Sequence, residues 1–461
     1  MKYIILSAFI FISLNFVNAQ NFEQAEKVFT LQCAACHGGQ MQAYVDREWK
    51  YGSTKEDLFE TIKYGRADVG MPAWDSLLTD NVIEEMVAYI QDGIKNVDNY
   101  KFKDEFVSGN FAADKFSYHL DTVFMAGKIP WGFTFLPEGG MLVTDRSGTI
   151  YHTDQKGKTK ELTGVPACRA EGQGGILDII VHPDHSKNKL VYFSYSAIKK
   201  ENGTTVSTTV VERAVFDGKG FTKNERIFEA LPWVNTTYHY GSRLLFDRNG
   251  YLFITVGDRG KRDIHPQNLE YDCGKVHRVL EDGTIPSDNP FKKSNGTVSS
   301  VYSYGHRNPQ GMDLHPVTGQ IWTNEHGPRG GDEINIIKKG VNYGWPIASR
   351  GLNYNMTKYT DFLEKEGMEP AVLYWIPSIA PSGMAFIDSD KYPGWKNQLL
   401  AGSLRFKYLN LCFLNGNEVV KEEQLLKNIG RVRDVKIGPD GYIYVAVENP
   451  GRIVRLIPGS K

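Results

Sequence analysis

Cysteine is scarce in this 461-residue chain, net charge is nearly absent, and long apolar runs are missing beyond the first few residues. Five cysteines at wide spacing exclude a disulfide-stapled scaffold. Acidic and basic side chains, 54 against 53, are interspersed and leave a formal charge of −1. That balance excludes nucleic acid or an anionic membrane as the main ligand, since both need a basic patch or stripe. The one apolar run, Tyr3 to Val17, is short for a bilayer crossing, and no later stretch approaches it, so no span is expected in the mature chain.

That run reads instead as an export signal. Lys2 supplies the positive start, Ser and Asn alone interrupt the apolar core, and Val17-Asn18-Ala19 offers small residues for cleavage. Residues 1–19 are thus read as a signal peptide, with Gln20 opening the mature chain and the charge moving to −2 as Lys2 is lost. A soluble periplasmic or otherwise exported protein is expected.

Just beyond lies Cys33-Ala34-Ala35-Cys36-His37. The C-x-x-C-H spacing is that of covalent haem c, with two thioether bonds from Cys33 and Cys36 and His37 on the iron; zinc and dithiol redox sites share the C-x-x-C part and stay open as alternatives. Gly70-Met71-Pro72-Ala73-Trp74 resembles the axial-methionine loop of small class I cytochromes c, which makes Met71 the second axial ligand. Ala25, Val28 and Phe29 before the motif recur at helical spacing, and Leu78-Thr79-Asp80 opens a second helix with Val82, Ile83, Met86, Val87 and Ile90 on one face. Residues 20–97 are read as a small all-α cytochrome c domain. Of the other cysteines, Cys168, Cys273 and Cys412, an odd number cannot all pair, and buried free thiols are the expectation, one bridge being the alternative.

Residues 98–120 are polar and aromatic without clear period and are read as a linker. From 121 to 461 a different rule holds: turn residues are followed by short β-rich runs. The six units are Glu138-Gly139-Gly140 before Met141, Lys187-Asn188 before Leu190, Arg248-Asn249-Gly250 before Tyr251, Val317-Thr318-Gly319 before Ile321, Trp395-Lys396-Asn397 before Leu399, and Pro439-Asp440-Gly441 before Tyr442. Each reads as a hairpin. Six such clusters, tens of residues apart, predict a mainly β chain folded as a six-bladed β-propeller; a sandwich would show fewer, more evenly spaced strands.

Chemistry is then expected in the loops that a propeller gathers around its axis. Glu171 to Leu177, Tyr238 to Leu244, Gly257 to Gly260, Gly305 to Gly311, Glu325 to Pro328 and Arg431 to Asp434 are rich in glycine, amide and arginine. Such a set suits a ligand carrying several carboxylates.

In this order the loops resemble those of the soluble pyrroloquinoline quinone (PQQ) glucose dehydrogenases and aldose sugar dehydrogenases, six-bladed propellers, most clearly over Gly305 to Gly311 and from Asp332-Glu333-Ile334-Asn335 to Asn342-Tyr343-Gly344-Trp345-Pro346. The resemblance runs from about Ile129 to Ile457 and implies PQQ and Ca2+ as cofactors beside haem c. It implies that His239 is the general base, that Gln173, Arg307, Asn308, Arg431 and Arg433 bind PQQ, and that Arg307 also stabilises charge on the quinone oxygen. Arg405 stands where the glucose dehydrogenases carry lysine. Gly327 and Pro328 match carbonyls that hold the catalytic Ca2+, and Glu333 and Tyr343 match a second Ca2+ site.

One departure lies beside the base: Tyr238 replaces the aspartate of the glucose dehydrogenases, which leaves Asp258 as the candidate to orient the imidazole. The implied activity is oxidation of an aldose at C1 to a lactone, with electrons passed to the haem on the same chain and on to an external acceptor such as another cytochrome or an oxidase. A metal-dependent lactonase or other hydrolase is the rival enzyme, but it needs several carboxylates converging on the metal. A non-catalytic propeller that docks a redox partner to the cytochrome is the other alternative.

Overall fold

The structure, a computed structural model, describes residues 22–33, 51–67, 71–95, 110–113, 116–353 and 358–459. The signal peptide, Cys36 and His37 lie outside the described residues.

The N-terminal part is helical. Helix α1 (Glu23–Val28) continues into a π-helical turn over Phe29–Cys33, and α2 (Lys55–Tyr64) and α3 (Asp80–Lys95) pack around it. Ala25, Phe29, Leu58, Ile62, Ile83, Val87 and Ile90 form their core, with Met71 packed at its margin. Helices α1 and α3 match the sequence expectation. Helix α2 was missed, although Thr54-x-x-Asp57 is a complete capping box: the Thr54 hydroxyl accepts from the Asp57 amide at 3.1 Å and the carboxylate accepts from the Thr54 amide at 3.2 Å. Gly65 ends α2 at φ 69°, and a Cβ there would lie 2.5 Å from the Ala73 amide. This close approach lets Arg66 and Met71 exchange backbone hydrogen bonds of 2.8 and 2.9 Å, which pins the methionine loop.

The remainder is a six-bladed propeller. Five blades are four-stranded antiparallel sheets taken in chain order over 130–161, 176–229, 244–304, 309–375 and 381–425. The sixth is closed by both ends of the domain: Ser117–Met125 pairs antiparallel with Arg452–Pro458, with Tyr118 opposite Pro458 and Met125 opposite Arg452. Asn110–Ala112 adds an outer strand to the same sheet. Strands therefore begin inside the stretch read as linker. The innermost strands lie side by side around a closed ring.

Strand composition follows this layering. Second strands such as Leu252–Val256 and Ile443–Val447 are buried along their whole length, because neighbouring blades cover both faces. Outer strands such as Glu418–Leu425 carry charge and are largely exposed, which guards the sheet edge. All six turn units fall between the first and second strand of their blade.

Arg243 ties the ring together near its axis. Its Nη1 lies 3.2 Å from Asp178 Oδ1 and 3.1 Å from Asp434 Oδ1, its Nε donates to the Gln310 carbonyl at 2.6 Å, and its guanidinium covers the Trp131 ring at 4.3 Å. One side chain thereby bridges residues of five blades. Arg243→Ala would strand two buried carboxylates and is expected to lower stability by about 3–5 kcal/mol, read as a fall in the denaturant midpoint; an unchanged midpoint would show that the ring does not rely on this cluster.

Candidate functional site

In an antiparallel blade the start of the first strand and the end of the second lie on the same face. The loops before each first strand carry Gln173, His239, Arg307, Asn308 and Arg431, and the loops after second strands carry Arg146, Asp258, Gly327, Pro328, Arg405 and Glu448. Ring closure turns these distant positions into one cluster.

His239 sits at φ 57°, in the left-handed region that few side chains adopt. Two contacts hold it there: its amide donates to Gln173 Oε1 at 2.8 Å, and its carbonyl lies where a Cβ on Gly257 would be 2.2 Å away. Any larger residue at 257 would displace the histidine. The ring is 12% exposed, and its Nδ1 lies 2.7 Å from Asp258 Oδ1.

Asp258 is fully engaged. Besides the imidazole, Oδ1 accepts from the Gly260 amide at 2.7 Å and Oδ2 from Trp345 Nε1 at 2.9 Å. Burial alone would raise its carboxyl, but His239, its hydrogen bond and Arg307 outweigh this and hold it below the ordinary carboxylate range. An ionised carboxylate only accepts, so Nδ1 carries the proton and Nε2 keeps its lone pair. Burial and the Arg307 charge push the His239 pKa below the usual 6.5, with Asp258 opposing. The imidazole is therefore neutral at pH 7, as a base must be.

Asn308 and Arg307 adjoin this pair. Asn308 Oδ1 accepts from the Gly241 amide at 3.1 Å, whereas its Nδ2 is buried with no hydrogen-bond partner. A donor buried without an acceptor costs about 1–3 kcal/mol, and a bound acceptor would remove that cost. Arg307 Nη1 donates to the His326 carbonyl at 3.1 Å, and its guanidinium faces Trp345 at 5.3 Å. Glu325 holds both residues through their amides, at 2.6 Å to Arg307 and 3.3 Å to Asn308.

A second group is cationic. Arg431 Nε and Arg433 Nε share Glu448 at 2.8 and 2.7 Å, and Arg431 Nη1 donates to the Leu404 carbonyl, next to Arg405. Burial would raise Glu448, yet Arg433, Arg431 and Arg146 hold it at about 2. Burial draws the Arg146 guanidinium down to about 10, with Glu448 opposing and Arg433 and Arg431 adding to it. Three guanidiniums around Glu448, with Asp145 beside Arg146, leave a net positive charge. Arg405 Nη1 donates to the Ser378 carbonyl at 3.2 Å, and Ser378 Oγ in turn approaches the Pro328 carbonyl at 3.4 Å.

Gly327 and Pro328 are anchored by Asp332, which accepts from the Gly327 amide at 2.8 Å and the Ala380 amide at 2.7 Å. Burial raises the Asp332 carboxyl to about 6. Glu333 and Tyr343 line one small cavity away from this cluster. Burial first, then the charge of Glu325, raises Glu333 well above the carboxylate range. The Tyr343 hydroxyl is taken up by the Ile336 carbonyl at 2.5 Å and the Lys338 amide at 2.9 Å, which leaves its main-chain carbonyl as the group it could offer a cation. No group of three or more His, Cys, Asp or Glu side chains able to hold a metal occurs among the described residues.

Sequence reasoning thus brought His239, Gln173, Arg307, Asn308, Arg405, Arg431, Arg433, Gly327 and Pro328 to one face, and it named Asp258 as the orienting candidate. It gave no role to Arg146, Glu325, Asp332, Glu448 and Trp345: Arg146 and Glu448 directly follow second strands, and Glu325, Asp332 and Trp345 lie inside the quoted loops and phrases. Cys273 and Cys412 are buried free thiols and Cys168 is a half-buried one, with burial pushing Cys168 to about 11 and Cys273 to about 12.

Residues 127–455 match the Glucose / Sorbosone dehydrogenase family, and residues 20–90 match the family of subunit III of the cbb3-type cytochrome c oxidase. The chain is 42% identical over 335 residues to the aldose sugar dehydrogenase YliI of Escherichia coli, covering 71% of this chain and 90% of that protein. It is similar to the crystal structure of the soluble apo aldose sugar dehydrogenase of Escherichia coli, with TM-score 0.71, 39% identity and coverage of 74% of this chain and 100% of the other. The PQQ-bound aldose sugar dehydrogenase of Streptomyces coelicolor superposes with TM-score 0.60 and 26% identity, over 74% and 98% of the two chains.

An NMR titration of the His239 imidazole is expected to show a midpoint below 6.5. Asp258→Asn should lower it further, because it removes the charge that favours the imidazolium; a midpoint that rises would break the assigned pairing.

Proposed function

Because the chain belongs to the glucose/sorbosone dehydrogenase family and carries a cytochrome c domain at its N-terminus, we propose that it is an exported quinohaemoprotein oxidising aldose sugars at C1 to lactones with PQQ and Ca2+. The observation that carries this reading is a neutral, carboxylate-oriented histidine beside an uncompensated cationic cluster. A hydrolase would want carboxylates converging on a metal, and this face is rich in arginine instead. A purely binding propeller would have no use for a strained histidine held by a buried aspartate.

The residues fit PQQ, a tricarboxylate ortho-quinone. Arg431, Arg433, Arg405 and Arg146 would supply cations for its carboxylates, Asn308 Nδ2 and Gln173 would supply amide donors, and Arg307, whose charge acts on His239, would supply positive charge near the base. When bound, PQQ supplies the hydride acceptor, Ca2+ held by the Gly327 and Pro328 carbonyls supplies a Lewis acid, and haem c on Cys33, Cys36, His37 and Met71 supplies a one-electron acceptor. His239 Nε2 takes the proton of the anomeric hydroxyl as C1 loses hydride, and Asp258 stabilises the imidazolium that results. Arg307 places positive charge where negative charge develops.

Sugar to lactone releases two electrons and two protons, so the haem must be reoxidised twice per turnover by an external acceptor. Glu333, with the Tyr343 carbonyl, is our candidate for a second Ca2+ site; a cation there would keep ionised a carboxyl that burial and the charge of Glu325 drive toward the protonated form. No helix among the described residues is long and apolar enough to cross a membrane. Residues 1–19 are proposed as the export signal.

His239→Ala is expected to cut turnover at least ~10²-fold while PQQ affinity stays near that of the parent protein. In the parent, kcat/KM should hold as pH falls to 6.5 and drop only below it, since the depressed pKa keeps the base neutral until then. Near-parental turnover in the variant removes His239 from the chemistry. Stripping Ca2+ from PQQ-loaded protein should abolish sugar oxidation; full-rate oxidation without Ca2+ would refute the roles of Gly327 and Pro328.

A further inference from the structure

Among the described residues, two hydrogen-bonding contacts between the helical domain and the propeller fall beside the chemistry on each side. Arg329 Nη1 donates to Gln32 Oε1, and Tyr238 Oη lies 3.5 Å from the Ala67 carbonyl. Gln32 directly precedes Cys33, and Ala67 lies in the segment leading to Met71, next to Arg66, which pairs with Met71. On the propeller, Tyr238 directly precedes His239, and Arg329 directly follows Gly327 and Pro328.

Both propeller residues are held in place. The Tyr238 ring stands edge-on to the His239 imidazole at 4.9 Å and 84°. It also packs so closely on Gly260 that a Cβ there would lie 2.5 Å from the ring. Arg329 exchanges backbone hydrogen bonds of 3.0 and 2.9 Å with Leu352, which fixes its loop while the half-buried side chain reaches Gln32.

We propose that Tyr238 and Arg329 form the docking surface of the axial site, and that its partner is the cytochrome domain of the same chain, seated with its two haem-flanking segments toward the loops of His239 and Gly327-Pro328. This rests on the reading of the two domains as sugar dehydrogenase and haem carrier. Tyr238 touches the base on one side and the cytochrome on the other. Tethering keeps the effective concentration of the docked domain in the millimolar range, so weak contacts suffice.

The test uses full-length holoprotein. Gln32→Cys with Arg329→Cys, treated with a short bismaleimide, is expected to give an intramolecular cross-link identified by peptide mass; absence of that link overturns the docking, whatever the enzyme's activity. In a separate variant, Arg329→Ala should slow sugar-driven haem reduction about tenfold in stopped flow, the loss of one hydrogen bond to a charged group. Sugar oxidation with an artificial dye should stay within about twofold, because no catalytic group is touched. Equal haem reduction rates in parent and variant would refute the surface even if the cross-link forms. Failure of the parent to oxidise sugar with dye would instead refute the enzymatic reading, and the cross-link would still report the docking.

Discussion

Everything at the candidate site depends on closure of the ring by Ser117–Met125 against Arg452–Pro458. Without that pairing the start of the domain is not tied to its last blade, and Arg431, Arg433 and Glu448 lose their fixed distance from His239 and Arg307. Closure also removes two exposed strand edges, which an open array would present to other chains. Its long loop makes it entropically costly to form, but the logarithmic dependence on length keeps that cost small beside the burial gained.

On this frame the two faces of the propeller do different work. The tight turns between first and second strands are Gly- and Asn-rich and hold the repeat; the loops at the opposite ends carry arginine, histidine and carboxylate. Three groups of buried charge are paired there: Arg243 with Asp178 and Asp434, His239 with Asp258, Arg431 and Arg433 with Glu448. Of these three groups only the last has more cations than carboxylates, and that excess suits it to a polyanion.

The local signals in the chain were legible. Six turn units each mark the same turn of their blade, the amphipathic pattern after Asp80 is α3, and the motif loops bring nine of the named residues to one face. Other features were obscured by competing patterns. Helix α2 is short, and its capping box was overlooked beside the haem motif. The closing strand sits in a polar, aromatic stretch whose buried positions, Phe116 and Tyr118, gain meaning only when residues far along the chain, such as Tyr392 and Trp395, cover them.

The amino-acid sequence by itself determined the division into a helical haem-binding segment and a six-fold β array, because both rest on short-range periodicity and turn chemistry. It also determined the residue types available for an anionic quinone and a sugar. Tertiary structure alone decided that Asp258 holds Nδ1 of His239, that Arg146 joins Arg431 and Arg433 around Glu448, and that Asn308 Nδ2 is left without a partner. It also decided that Tyr238 and Arg329 meet the cytochrome domain. These facts depend on distances between groups far apart in the chain, and only the closed ring sets such distances.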